Sequence, residues 1–417
     1  YLKNLELTPD FDVEKGKGLL HIRGDVCGGA EFIKVAINGS DYQIACADNM
    51  ADETISFDAE PWTTEHPKLY EVSVFVGAEV FETYRLGFRN IRCENQQILL
   101  NGEPLSVKGA CYVYDSPIYG LVMDKTQLQE DLQKMKEANI NAIRTHYPMS
   151  DEFYALCDEM GFTVWIEPNV YCSKPQENEK NTVFAQPDFV SVARSMTEEM
   201  ISGARQYASV IVYGIGNECN VNHPEALPFF TLLSQTVRKM DDTRLVGYAS
   251  LYGQVGTIGH LVDVMGINSY FGWYGTISDF EIEDKRPIEN GQVVKREADV
   301  SGLHDLIEQT KAQLPKGVPI LLTEFGADSV ERYHSSACEL WSENYHAEVV
   351  RKYIEASREH SCVCGTYVFA FTDYLDPSKP KNGRWNDKNL KGMLTYNREY
   401  KLPFYALQKA YCAKKTE

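Results

Sequence analysis

Two glutamates carry the first hint of chemistry. Glu218 closes the run SVIVYGIGNE and Glu324 closes PILLTE, so each carboxylate stands directly after a stretch of mainly apolar residues. Asn217 precedes the first of them, and Arg144 and His146 follow another short apolar run in NAIRTHYP. A single glutamate in such a place is ordinarily a salt-bridged strand end. Two of them beside a guanidinium suit the cleavage of a glycosidic bond. One carboxyl must be neutral to protonate the departing oxygen, and the other ionised to attack the anomeric carbon. Burial and a like-charge neighbour raise the pKa of the first, while an arginine such as Arg144 holds the second ionised.

Such a pair works only if the fold brings its members together. The first ninety residues read as strands: HIRGDV, EFIKVAING, ETISFDA, KLYEVSVFVG and VFETYRLGF are short, partly alternating and rich in β-branched and aromatic residues. Turn clusters such as Cys27-Gly28-Gly29 and Asn38-Gly39-Ser40 separate them, a pattern that predicts a sandwich of roughly seven strands. From about residue 91 strands alternate with amphipathic helices. LSVKGACY, NAIRT, FTVWIE, SVIVYGIG, RLVGYAS, HLVDVMGIN, PILLTE and CGTYVFAF are eight candidate strands, which predicts a (β/α)8 barrel. An open doubly wound sheet is the competitor, but no Gly-rich phosphate fingerprint follows the first strand. The expected organisation is therefore an immunoglobulin-like β-sandwich over 1–90 and a catalytic barrel over 91–417. In a barrel, residues at the C-terminal strand ends line the site, which places Arg144, His146, Glu167, Asn217, Glu218, Asn268, Tyr270, Glu324 and Asp373 at one mouth.

Composition narrows the partners. The chain of 417 residues has 41 basic and 60 acidic side chains, a net charge of −19. That field repels nucleic acid, and an anionic substrate needs a local cation to hold it. No apolar run approaches the ~20 residues of a membrane-spanning helix. Eleven cysteines without zinc-type spacing or a disulfide framework read as reduced, mostly buried thiols, and the cytoplasm is the expected location. The chain opens with Tyr1 and no signal peptide comes after it, which reads as a processed chain or a fragment.

In combination, RLGFRN (85–90), ILLNGEPLSVKGACY (98–112), DLQKMKEANINAIRTHYP (131–148), FYALCDEMGFTVW (153–165), SVIVYGIGNE (209–218) and PILLTEFGAD (319–328) resemble the glycoside hydrolases of family 2. That resemblance implies a retaining mechanism with Glu218 as acid/base and Glu324 as nucleophile. Within the family the chain looks most like the β-glucuronidases. Asn389-Leu390-Lys391-Gly392 is similar to the Asn-x-Lys-Gly motif that holds a uronate carboxylate in those enzymes. Asn268-Ser269-Tyr270-Phe271-Gly272-Trp273-Tyr274 resembles their strand-six segment, and YVFAFTDY their strand eight. A lysine ammonium beside an asparagine amide supplies charge and geometry for a carboxylate, and Arg384 would add a second cation. The aromatic run suggests a sugar platform from Tyr270, Trp273 and Tyr274. His146 follows Arg144 by one residue fewer than is usual in the family. Cys219 is an alternative nucleophile, but no His–Asn pair stands ready to activate it.

Besides the shortened Arg144–His146 spacing, two further departures and two alternatives remain at this level. Family 2 enzymes carry a jelly-roll domain ahead of the sandwich, to which nothing in these residues corresponds, and Cys219 stands where Pro or Ser is usual. The expected activity is hydrolysis of terminal β-D-glucuronides, without metal or organic cofactor, by a chain that binds neither nucleic acid nor membrane and forms a possible homo-oligomer. A β-galacturonidase or β-galactosidase of the same family is one alternative, and an inactive carbohydrate-binding barrel the other.

Overall fold

The computed structural model describes residues 1–77, 79–171, 183–274, 288–289, 292–293, 297–377 and 387–413. Seven antiparallel strands, from Leu2–Asp12 to Glu79–Leu86, form the N-terminal sandwich in the spatial order 1-2-5-4-3-6-7. Lys17–Val26 shows why. Leu20, Ile22 and Val26 point inward while His21, Arg23 and Asp25 face water, the two-residue period of a half-buried strand. Ile33, Val35, Ile44, Val72 and Val74 complete one fully enclosed core. Two strands here were absent from the sequence reading, Leu2–Asp12 and Ser40–Ala47. The register of the first slips between Lys3 and Glu6, with Asn4 at φ 50°, and such a bulge destroys the alternation that marks a strand.

Buried polar anchors join the sandwich to the rest of the chain. Trp62 donates its indole N–H to the Asp158 carbonyl at 2.9 Å. Arg89, 1% exposed, donates to the carbonyls of Ala208, Thr243 and Val210. A small sheet of Ile91–Glu94, Gln97–Leu100 and Glu103–Pro104 then closes one end of the barrel. Its Ile91, Ile98 and Leu100 share a core with Val107, Val212, Leu245, Val264 and Leu321 of the barrel strands.

Eight parallel strands close the barrel: Val107–Cys111, Ala142–Arg144, Thr163–Ile166, Val210–Asn217, Leu245–Leu251, Val264–Asn268, Ile320–Glu324 and Val363–Val368. Each falls on one of the eight apolar runs read from the sequence. Around them lie helices α1 (Lys125–Glu137), α2 (Asp151–Met160), α3 (Pro187–Ala204), α4 (Ala226–Met240), α5 (Gly302–Gln313), α6 (Glu343–Arg358) and α7 (Leu402–Cys412). Side-chain caps start several of them: Asp124 accepts from Gln127 N–H, and Ser342 from that of Tyr345. α4 shows the packing logic, with Phe229, Phe230, Leu233 and Val237 on one buried stripe. Among the described residues seven helices accompany the eight strands. After the fifth strand the chain makes only a three-residue 3₁₀ turn, Gly259–Leu261, because only a dozen residues separate it from the sixth. Among the described residues no helix is long and apolar enough to cross a membrane.

Candidate active site

Strand ends deliver the polar groups. Arg144 ends the second strand, Asn217 the fourth, Asn268 the sixth and Glu324 the seventh, while Glu167 and Glu218 follow the third and fourth directly. Two local distortions aim Glu218. The fourth strand shifts register against the fifth between Gly214 and Asn217, and Glu218 itself sits at φ 52°. The left-handed region is costly for a glutamate, and such strain collects where a side chain must take one direction. Gly214 makes room at the same place: a Cβ there would lie 2.5 Å from Glu167 Cγ. The result is a cavity of about 740 Å³ whose lining includes Glu218, Glu324, His146, Tyr270, Asn389 and Lys391.

Glu324 is held at both oxygens. Its Oε1 accepts from Arg144 Nη1 and His146 Nε2, both at 2.9 Å, and its Oε2 from the Tyr270 hydroxyl at 2.7 Å. Burial alone would raise its pKa, but the His146 hydrogen bond and the Arg144 charge outweigh that and hold it at about 2. Burial and the neighbouring Glu324 carboxylate keep the Tyr270 phenol protonated, hence able to donate.

Arg144 is the hub. It grips Glu167 through Nε (2.9 Å) and Nη2 (3.1 Å), and Nη2 also donates to Asn217 Oδ1 at 2.9 Å. Asn268 continues the chain, its Nδ2 donating to Asn217 Oδ1 and to Glu218 Oε1, both at 2.9 Å. The Thr323 hydroxyl donates to Asn268 Oδ1 at 2.7 Å, which fixes the orientation of the amide. One continuous network therefore runs from Glu324 through Arg144, Asn217 and Asn268 to Glu218.

A pH dependence arises from the Glu324 environment. Its folded value lies below the ordinary 4.5, so its contribution to stability is present above that pH and is lost as the pH falls toward 2. Urea unfolding of the parent chain is expected to weaken by about 3 kcal/mol more than that of Glu324→Gln between pH 5 and 2. Equal slopes would contradict the depressed carboxyl.

The Asn389–Gly392 loop forms a second wall, and its polar groups are each engaged. Asn389 Nδ2 donates to the Tyr374 hydroxyl at 3.1 Å. Lys391 Nζ donates to Asp328 Oδ2 at 2.6 Å and to the Tyr274 hydroxyl at 2.9 Å, though the lysine is only 1% exposed. Gly392 N–H reaches Asp373 Oδ1 at 2.7 Å, and a Cβ on Gly392 would lie 2.1 Å from the Asp373 amide nitrogen. The glycine is thus a packing requirement.

Of the residues named from the sequence, Glu218, Glu324, Asn217, His146, Tyr270, Tyr274, Asn389 and Lys391 line this one cavity. Four others, Trp273, Arg144, Asn268 and Asp373, lie outside the lining, the last two as buried residues. Trp273 is buried in the core against Trp341, ring centroids 5.1 Å apart, and lies outside the cavity lining. Arg144 is fully buried beneath the cavity and holds other site groups rather than lining it. Arg384 lies outside the described residues. The sequence reading placed neither Tyr252 nor Tyr374, which also line the cavity, and gave no role to Asp328. The signal for Asp328 was its place four residues after Glu324. For Tyr252 it was its place directly after the fifth strand, a strand-end position of the kind that lines a barrel site.

Residues 91–415 match the sequence model described as glycosyl hydrolases family 2, TIM barrel domain. The chain belongs to that family. Among its relatives, a β-glucuronidase of Paenibacillus borealis is 25% identical over 96% of this chain and 65% of its own length. The mouse (Mus musculus) β-glucuronidase is 27% identical over 83% of this chain and 51% of its own. The chain thus spans between about half and two thirds of these curated relatives. A solved family 2 β-galacturonidase of Eisenbergiella tayi, bound to galacturonate, superimposes with a TM-score of 0.82 at 25% identity, over 100% of this chain and 73% of that one.

Proposed function

We propose that this chain forms the sandwich and barrel of a retaining exo-β-glycosidase that releases terminal β-D-glucuronic acid. Glu324, ionised and anchored, attacks the anomeric carbon as Glu218 gives its proton to the leaving oxygen. The C–O bond to the aglycone breaks and a covalent glycosyl-enzyme forms. Glu218 then takes a proton from water, which attacks the same carbon and frees Glu324, so configuration is kept. The uronate carboxylate meets the Lys391 ammonium and the Asn389 amide, a charge-assisted pairing that offsets the acidic field of the molecule. The observation that carries this reading is that Lys391 opens onto the same cavity as the two glutamates. A β-galacturonide is the second reading, favoured by the galacturonate in the Eisenbergiella tayi neighbour.

A panel of nitrophenyl β-glucuronide, β-galacturonide, β-galactoside and β-glucoside tests the assignment. The parent chain is expected to prefer a uronide. Lys391→Ala is expected to lose ~10²-fold in kcat/KM on uronides and far less on the neutral sugars. A comparable loss on all four would make Lys391 structural, and binding of glucuronide without product would favour an inactive barrel.

A further inference from the structure

We propose that Asp328 is the positioning residue for uronate recognition, holding the Lys391 ammonium and the backbone of its loop where the ammonium meets the sugar carboxylate. The inference rests on the uronide reading and deepens it.

Asp328 lies in the segment that leaves the seventh barrel strand, four residues beyond Glu324. It is fully buried, and its oxygens reach two points of the loop: Oδ1 accepts from Leu390 N–H at 3.1 Å and Oδ2 from Lys391 Nζ at 2.6 Å. The ion pair has side-chain exposures of 1% and 0%. Without water to compete, such a pair fixes geometry as well as charge. A lysine ammonium rides on a flexible four-carbon stem and would lose much binding energy as entropy on meeting a ligand. Asp328 and Tyr274 remove that freedom beforehand by engaging two of its three N–H donors, and among the described residues no further hydrogen-bond acceptor meets the third.

The loop is gripped from its other side too. Asp373 takes Gly392 N–H, and Lys401 Nζ donates to Asp373 at 3.2 Å and to the Leu390 carbonyl at 2.9 Å. Because Asp328 belongs to the segment that carries Glu324, the grip on the carboxylate and the nucleophile share one support. A sugar seated on Lys391 is thereby registered against Glu324.

A double-mutant cycle on the full chain tests this: parent, Asp328→Asn, Lys391→Ala and the double variant, each on nitrophenyl β-glucuronide and β-galactoside. Asp328→Asn is expected to lower kcat/KM on the glucuronide ~30-fold, chiefly through KM, and on the galactoside ~3-fold at most. In the Lys391→Ala background the same change should cost the glucuronide less than ~3-fold. An undiminished loss in that background, or an equal loss on the galactoside, overturns the proposal while leaving the uronide reading intact. A parent chain with no preference for uronides overturns that reading first, and the proposal with it. If Asp328→Asn does not fold, Asp328→Glu, which displaces the charge by one methylene, must shift the glucuronide-to-galactoside ratio in the same direction, and an unchanged ratio overturns the proposal. If turnover is too slow to follow, the cycle is read as the Kd of glucuronate against glucose by calorimetry.

Discussion

Glu324→Gln is expected to lower glucuronide turnover by at least ~10⁴-fold while the protein stays folded. The amide is isosteric, its oxygen can accept from Arg144 and His146, and its NH₂ can donate to the Tyr270 hydroxyl. Arg144 also keeps its two bonds to Glu167, so its charge is not stranded. What disappears, on the proposed mechanism, is the electron pair that forms the bond to the anomeric carbon. Glu218→Gln should behave differently. On the proposed mechanism it removes the proton donor, so glycosides with poor leaving groups should fail, whereas a dinitrophenyl glucuronide should still form the glycosyl-enzyme. Azide, which needs no base, should then restore its turnover and give a β-glycosyl azide. Substantial activity in Glu324→Gln, or an α-configured azide product, would reassign both carboxyls.

Arg144→Met should cost both stability and activity. The guanidinium faces Glu167 and Glu324 in a fully buried position, with side-chain exposures of 0%, 1% and 7% for the three residues. Removing it leaves two buried carboxylates without their cation, a loss of ~3–5 kcal/mol. Glu324 would also lose one of the influences that hold its pKa near 2. The acid limb of kcat/KM is therefore expected to move up in pH, and the rate at neutral pH to fall by roughly 10³-fold as the Glu324–Asn217–Glu218 network loosens. Arg144→Lys should rescue little, since an ammonium cannot hold Glu167 at two oxygens while reaching Glu324 and Asn217. Urea unfolding and a pH–rate profile check both parts. An unchanged acid limb would mean that the His146 and Tyr270 hydrogen bonds suffice to keep Glu324 ionised.

How much of the fold and site was legible beforehand varied by element. The barrel strands stood out because they are mostly buried on both faces and so read as short, mainly apolar runs, four of them ending in Arg144, Asn217, Asn268 and Glu324. The outermost sandwich strand Leu2–Asp12 did not, since its bulge breaks the alternation. At the site, Glu218 and Glu324 were recognisable from their place after apolar strands. Trp273 and Tyr274 were not separable: they adjoin in the chain, yet one packs in the core and the other touches Lys391. Where each ring points depends on the turn at Gly272, φ 78°, and on the helices behind it.

What the residues determine by themselves is local: apolar periodicity that makes strands and helices, glycines that permit close approach, and carboxylates placed where strands end. The partners of those groups belong to the closed barrel. Arg144 meets Glu324 across 180 residues of sequence, Lys391 meets Asp328 across 63 and Asn268 meets Glu218 across 50. No nearest-neighbour preference encodes such distances. Only the closure of eight strands into one ring brings these side chains within hydrogen-bonding reach, and with them the lowered pKa of Glu324.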